Sequence, residues 1–330
     1  MWPKSMFCNG HVQVDAEKMS KSKGNFITME GAMELWGSDA TRFACADAGD
    51  GILNANYDRI IADRAILTLT TELEWVGDVL KGVKTKGQTG SGGLRPGGAP
   101  AVWLDRWFAN EMIRIASQCA ECYAGMRFKE ALKVGFYLMQ EARDRYRAGT
   151  AAVGADEKLV RQWAEWQALM MMPITPHWAE AMWELLGKEG CIVHAPWPTS
   201  ETLEDVQTTA AGEYLFEVAH SLAAALVNRA KKKPAKGKAP EPAEEAKPNQ
   251  CNLYVATSFP RWKEIVLDLL QAHYSEATGE VDGAVMKAIP QNKELAAFNK
   301  GKQVPQFAAA VREEAKTKGC LLYTSPSPRD

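Results

Sequence analysis

The sequence of 330 residues lacks a strong net charge, because 39 lysines and arginines are offset by 41 aspartates and glutamates. A polyanionic partner would therefore have to be bound by local basic patches. The sequence also lacks an apolar run long enough to span a bilayer, and MWPKSMFCNG at its start has no apolar signal-peptide core. These absences predict a cytoplasmic protein that binds no membrane.

Complete zinc and P-loop motifs are missing as well. Cys119 and Cys122 form the pattern CAEC, which has the spacing of half a zinc site, but no second half follows. The glycine-rich stretch 81–100 contains no Gly-Lys-Ser or Gly-Lys-Thr, so it is not a P-loop. Because free cysteine packs as a small apolar residue, we expect both cysteines in a hydrophobic core and no metal site.

The hydrophobic pattern that is present is mainly helical. From Trp103 to Cys122, apolar residues recur at steps of three and four, which places them on one helix face. These residues are Leu104, Phe108, Met112, Ile115, Cys119 and Cys122. A second such face runs from Phe128 to Tyr146, and a third, rich in Trp and Met, ends at Pro173. Successive amphipathic helices predict an antiparallel bundle.

Composition indicates where the bundle is interrupted and where it ends. Residues 81–100 read as a flexible insert, and 229–250 read as a basic Pro/Ala/Lys linker. The alternating CNLYVAT that follows predicts a strand, and the pattern after Pro260 predicts a helix. We therefore expect an incomplete small α/β domain over 251–319. Residues 320–330, CLLYTSPSPRD, resemble a translated sequencing adapter and are treated as a non-native tail.

The segment EKMSKSKGNF, residues 17–26, carries three lysines, with no carboxylate between Lys18 and Asn25. A strand pattern ending at Val14 precedes it, and a helical pattern with Thr28 as the N-cap follows it. A strand, a cationic loop containing glycine and then a helix is a geometry that suits phosphate. A solvated polar turn is the alternative interpretation of such a short Lys/Ser run.

The string KMSKS resembles the signature loop of class I aminoacyl-tRNA synthetases. The stretches NGHVQVDAEKMSKSKGNF, ADAGDGILNANYD, FKEALKVGFYLMQEARDRYR, PHWAEAMWELLGKEGCIVHAPWP and PAKGK resemble leucyl-tRNA synthetases of the cytosolic eukaryotic and archaeal type. The resemblance implies that 1–58 are the end of a Rossmann-type catalytic domain and that 59–228 form an anticodon-binding-type helical bundle. It implies ATP-dependent activation of leucine to leucyl-adenylate and transfer to tRNA(Leu), with no DNA partner.

The resemblance also assigns site residues. Lys21 corresponds to the lysine that stabilises the departing pyrophosphate, and Lys18 supports it. The ATP-binding residues would be Lys18, Met19, Ser20, Lys21 and Ser22. ATP with Mg²⁺ would act as a substrate, with no tightly bound cofactor. Five linker lysines either belong to a solvated tether or contact the tRNA backbone. They are Lys231, Lys232, Lys233, Lys236 and Lys238.

The sequence lacks the HIGH signature, the leucine pocket and the editing domain of this family. We therefore expect a C-terminal fragment that is inactive by itself. An isoleucyl, valyl or methionyl enzyme is an alternative within the class, and a tRNA-binding module without catalysis is an alternative outside it. Membership of a larger synthetase assembly is left open by the sequence.

Overall fold

A computed structural model describes residue 6 and residues 10–51, 53–82, 93–231, 259–275, 280–283, 285–286, 289, 292–296 and 303–318. The chain forms two compact units, Met1–Val218 and Ala219–Asp330. Within the described ranges, no helix combines the length and the hydropathy needed to cross a bilayer. The predicted domain boundaries at 58 and 228 differ from the division into units and stay predictions.

The first unit is mostly helical, which confirms the mainly α fold class. Its helical segments are α1 (Met29–Ala48), α2 (Arg59–Leu80), α3 (Trp103–Ala124), α4 (Phe128–Leu132), a π-helical turn (Lys133–Leu138), α5 (Met139–Gly149), α6 (Glu157–Met171), α7 (Pro176–Leu185), a 3₁₀ turn (Ile192–His194) and the start of α8 (Val206–Lys231). Its strands are β1 (Gln13–Val14), β2 (Glu17–Lys18), β3 (Asn56–Tyr57), β4 (Leu94–Arg95) and β5 (Ala155–Asp156).

The predicted apolar face of α3 lies in the hydrophobic core of this unit. Phe108, Met112 and Ile115 are completely buried, and they pack with side chains from α1, α2, α5, α6 and α7. The Trp and Met residues of α6 belong to the same core, which confirms that WAEWQALMMM packs as bundle interior. Pro173 and Pro176 separate α6 from α7, as predicted, because proline cannot donate the helical hydrogen bond.

Cys119 and Cys122 are buried in this core, which confirms their predicted packing role. Burial raises the pKa of Cys119 to about 12 and also raises the pKa of Cys122. Both thiols are therefore held in the neutral form, and neutral thiols are poor metal ligands. In the described ranges, no group of three or more His, Cys, Asp or Glu side chains is placed to hold a metal ion.

The second predicted amphipathic helix is not regular. Its first residue Phe128 is 40% exposed, and a π-helical turn at Lys133–Leu138 shifts the phase of the residues behind it. A Cβ atom at Gly135 would lie 3.0 Å from Cys119 Sγ and 3.4 Å from Met170 Cβ. The glycine therefore lets this segment approach α3 and α6 closely, a constraint that hydrophobic periodicity does not report.

The ends of α1 and α7 carry the expected caps. Thr28 Oγ1 accepts a hydrogen bond from Gly31 N at 2.9 Å, which confirms it as the N-cap of α1. Gly187 follows α7 with φ of +73° and donates to Glu184 O, while Lys188 N donates to Trp183 O. These two bonds form a Schellman motif, so Gly187 has its predicted capping role.

The flexible insert predicted over 81–100 stays a prediction, although the structure describes a short strand near its end. Residues 83–92 lie outside the described ranges, but β4 pairs in parallel with β5, with Leu94 opposite Ala155. Arg95 anchors this strand by ion pairs to Asp105 and Asp156. The glycine-rich composition of this stretch did not indicate the pairing of β4 with β5. An ion pair from one arginine to a buried carboxylate produces no periodic pattern of hydrophobic residues.

Asp105 is the centre of this buried network. Its carboxylate is 1% exposed and accepts hydrogen bonds from Arg95, from Tyr146 Oη at 2.7 Å, and from the backbone N–H groups of Ala101 and Val102 at 2.7 and 3.0 Å. Burial would raise the pKa of Asp105, but the bonds from Tyr146 and the other donors hold it below its ordinary value. The carboxylate thus joins β4, α3 and α5.

The second unit has its own small core. Its described elements are the end of α8, α9 (Arg261–Ala272), β6 (Tyr274–Ser275), β7 (Glu280–Val281), α10 (Lys293–Ala296) and α11 (Gln303–Lys318). The helix predicted after Pro260 is confirmed as α9, and its residues Val266 and Leu270 are buried against α11. The strand predicted in CNLYVAT and the tail 320–330 lie outside the described residues.

Replacing Asp105 should destabilise the first unit. We expect Asp105→Asn to lower the free energy of unfolding at pH 7 by about 3 kcal/mol, because it leaves Arg95 largely buried beside a neutral amide. The folded pKa of Asp105 is below 3.8, so its stabilisation is complete above that pH and is lost as the pH falls through the folded pKa. Urea unfolding followed by circular dichroism should show the difference from the wild type shrinking in that acidic range.

The control is Glu141→Gln, which removes the exposed ion pair with Arg145 and should change the free energy by less than about 0.5 kcal/mol. Equal effects of the two substitutions would contradict the importance of the buried network.

Cys119 and Cys122 should resist alkylation by N-ethylmaleimide in the folded chain, because they are buried and their thiolate forms are scarce. Cys191 is exposed and should react within the same time. Peptide mass spectrometry measures each site, and denaturant should abolish the difference. Equal native rates at the three sites would show that the core assignment is wrong.

Candidate active site

The candidate loop, which lies within residues 17–26, follows a tight hairpin. β1 and β2 pair antiparallel with Val14 opposite Glu17, so Asp15 and Ala16 form a two-residue turn. Both turn residues have positive φ, 51° and 64°, as the mirror-image turns of hairpins require. The strand predicted before the loop is therefore present, and Lys18 lies at the end of β2.

The hairpin is fixed to the segment that precedes α2. β1 pairs in parallel with β3, and Ala16 N donates to Asn56 Oδ1 at 2.6 Å. Arg59 Nε donates to Asp15 Oδ2 at 2.6 Å, and this bond from Arg59 lowers the pKa of Asp15. His11 N donates to Asn54 Oδ1 at 3.0 Å. The segment NANYD therefore positions the loop, a role that the sequence analysis did not assign to it.

Met19 anchors the start of the loop. Its partly buried side chain packs on a small cluster formed by Val14, Ala44, Tyr57 and Ala62. These four residues come from β1, α1, β3 and α2, so the anchor ties the loop to each of those elements. The predicted ATP-binding residue Met19 therefore contacts the protein interior, whereas its neighbours Lys18 and Lys21 are exposed.

The tip of the loop consists of two overlapping turns. Lys23 N donates to Ser20 O at 3.2 Å, and Gly24 N donates to Lys21 O at 3.3 Å. Gly24 has φ of +70°, which favours glycine at this position. The hydroxyl oxygens of Ser20 and Ser22 lie 2.8 Å apart. The predicted residues from 18 to 22 are thus together on one short loop, where the two hydroxyls hydrogen-bond each other.

The lysines of the loop differ in their partners. Lys23 Nζ lies 3.4 Å from Glu17 Oε2, a carboxylate just outside the acid-free interval seen in the sequence. Across the described part of the chain, Lys18 and Lys21 have no carboxylate within ion-pair distance, and the Lys21 ammonium lies 5.8 Å from the Phe26 ring centre. Two uncompensated ammonium groups therefore face solvent, where they can attract a polyphosphate.

The helix that follows the loop is interrupted. Gly37, inside α1, has φ of +75° and ψ of 170°, outside the helical region. Thr41 Oγ1 donates to Gly37 O at 2.7 Å, and Trp36 Nε1 donates to Asp63 Oδ1 at 2.8 Å. The first half of α1 is thereby held to α2, and the second half begins anew after the break.

The second half of α1 is anchored on the bundle. Asp39 Oδ2 accepts a bond from Trp178 N at 2.6 Å at the start of α7, and Arg42 Nε donates to Ile174 O at 2.8 Å. His177 Nδ1 lies 3.0 Å from Asp39 Oδ1, so it contributes to this contact and not to the loop. The loop and the bundle therefore belong to one unit.

The structure describes only one of the five linker lysines named above. Lys231 is the last residue of α8, whereas Lys232, Lys233, Lys236 and Lys238 lie outside the described residues. Their contact with tRNA stays a prediction.

Two family models match the chain. Residues 1–61 match the class I tRNA synthetase model (M), and residues 105–244 match the anticodon-binding domain of tRNA ligases. A solved complex of Agrobacterium radiobacter K84 agnB2 LeuRS with tRNA and LeuAMS is 19% identical, with a TM-score of 0.45, and covers 58% of this chain and 23% of that one.

The alignments with curated relatives extend over nearly the whole chain. The cytoplasmic leucine–tRNA ligase of Pongo abelii is 35% identical over 96% of this chain and 26% of its own length. That of Saccharomyces cerevisiae is 36% identical over 84% of this chain and 24% of its own length. The chain thus spans about a quarter of the length of these relatives. It belongs to the class I tRNA synthetase family.

Proposed function

We propose that this chain is the part of a cytoplasmic leucine–tRNA ligase that binds the pyrophosphate of ATP and docks tRNA(Leu). The observation that carries the proposal is the pair of exposed ammonium groups, Lys18 and Lys21, on a loop fixed between a hairpin and α1. The names of the curated relatives support leucine as the amino-acid substrate and the cytoplasm as the location. ATP with Mg²⁺ is the proposed substrate.

The proposed chemistry requires positive charge at this loop. A carboxylate oxygen of leucine attacks the α-phosphorus of ATP, a new P–O bond forms, and the bond to the bridging oxygen breaks to release pyrophosphate. Negative charge builds up on the departing group, so ammonium groups stabilise the transition state more than the ground state. Lys21, at the tip, binds the departing pyrophosphate, and Lys18, at the base, supports it.

The helical bundle has a different proposed role. The match to an anticodon-binding domain supports contact with tRNA. In leucyl enzymes we expect this bundle to dock the body of the tRNA without reading anticodon bases. We expect transfer of leucine to the tRNA to use parts of the synthetase outside the quarter of the relatives' length that this chain matches.

Two alternatives make different predictions. An isoleucyl, valyl or methionyl enzyme would use the same loop chemistry, but the relatives at 30–39% identity are named as leucine–tRNA ligases, which favours leucine. A tRNA-binding module without catalysis would bind tRNA yet tolerate the loss of Lys21.

Lys21→Ala should slow ATP–pyrophosphate exchange about a hundredfold, or by ~3 kcal/mol, because it removes one donor to the departing group. The assay uses a chimera in which this chain replaces the matching part of the Saccharomyces cerevisiae ligase. Lys23→Ala is the matched control. It removes an ammonium group from the same loop, but one that pairs with Glu17, and it should change the rate by less than about threefold. Unchanged exchange in Lys21→Ala would favour the binding module.

Replacing Lys231, Lys232 and Lys233 with alanine should weaken the binding of this chain to tRNA(Leu) and flatten its salt dependence. Each phosphate contact that is lost removes about 0.7 to 0.9 from the slope of log K against log salt. Filter binding between 50 and 200 mM salt measures that slope, with tRNA(Val) as the control for specificity. An identical slope would identify the linker as a solvated tether.

A further inference from the structure

The candidate loop depends on local bonds for its shape. Between the end of β2 at Lys18 and the start of α1 at Met29, the described residues form no strand or helix. The turns at Lys23 and Gly24 order the tip, and Met19 fixes one side of the base by packing on the cluster around Val14. The other side of the base needs a separate constraint.

Asn25 supplies that constraint. Its Oδ1 accepts a hydrogen bond from Ser20 N at 2.8 Å, and its Nδ2 donates to Lys18 O at 3.1 Å. One side chain therefore bonds the backbone on both sides of Met19 and closes the segment from 18 to 25 into a ring. Lys21 and Ser22 project from this ring, and both are exposed in the part of the chain that the structure describes.

The chemistry of the amide matters for this bridge. Asparagine offers an acceptor and two donors at the end of a short side chain, so it can satisfy a backbone N–H and a carbonyl at once. Aspartate is of the same size but can only accept when ionised, and it would add a negative charge to a loop proposed to bind an anion. Alanine would leave both backbone groups to water.

We propose that Asn25 is a positioning residue for the adenylation reaction, which holds the backbone of Lys18 to Ser20 so that the Lys21 ammonium is presented to pyrophosphate. The inference rests on the proposed function of the loop. It adds that the affinity for pyrophosphate depends on a preformed backbone as well as on the lysine.

The test uses the 330-residue chain and magnesium pyrophosphate as the probe. Titration followed by ³¹P NMR gives the dissociation constant, and hydrogen–deuterium exchange of the peptide covering residues 17–28 reports the loop backbone. Four proteins are compared: the wild type, Asn25→Ala, Asn25→Asp and Lys21→Ala. Thermal unfolding of each confirms that the rest of the fold is retained.

We expect Asn25→Ala to raise the exchange rate of the loop amides about tenfold, as loss of these two bonds predicts, and to weaken pyrophosphate binding by about five- to tenfold. Lys21→Ala should weaken binding at least as much while the amide exchange stays at the wild-type rate. Asn25→Asp keeps the bond from Ser20 N, so its exchange should rise less. The difference between its affinity for pyrophosphate and that of the wild type should become smaller as salt is added, because part of the difference comes from the added negative charge.

The outcomes separate the inference from the function on which it rests. If Asn25→Ala speeds amide exchange but leaves pyrophosphate binding intact, the positioning role is wrong and the function of the loop stands. If Asn25→Ala alters neither quantity, the bridge has no effect on the loop and the inference is again overturned. Failure of the wild type to bind pyrophosphate, with its loop amides protected, would overturn the proposed function and the inference with it.

Discussion

The carboxylate of Asp105 is the constraint on which the first unit depends. A buried charge must be paired and hydrogen-bonded, and Asp105 meets that condition only if β4, the start of α3 and the side chain of Tyr146 arrive at the same point. Tyr146 Oη in turn accepts a bond from Asp156 N at 2.9 Å, at the start of α6. Apolar packing fills the bundle, but this polar centre fixes how its elements are arranged.

The loop uses the same principle on a smaller scale. The segment from Asn54 to Arg59 bonds the hairpin through side chains, and Asp58 caps α2 by accepting from Ile60 N at 2.8 Å. A few polar side chains thus place the exposed lysines with little buried apolar surface.

The sequence predicted what periodicity and local chemistry encode. The apolar face of α3, the core around α6 and the Thr28 cap are repeated or local signals, and the structure contains all three. Arg95 could not be predicted, because its partners Asp105 and Asp156 lie 10 and 61 residues away. Asn25 stood within the quoted segment, but the bridging of two backbone groups by one amide becomes visible only when the loop is folded.

The glycine at position 37 has a mechanical consequence. An uninterrupted helix from Met29 to Ala48 would be a stiff rod about 30 Å long, and it would carry any displacement of the lysine-bearing tip straight to α7. Gly37 interrupts that rod, and on the loop side of the break the indole of Trp36 donates a hydrogen bond to Asp63 of α2. The loop-side half of α1 is therefore anchored on α2, whereas the contact between Asp39 and α7 belongs to the other half.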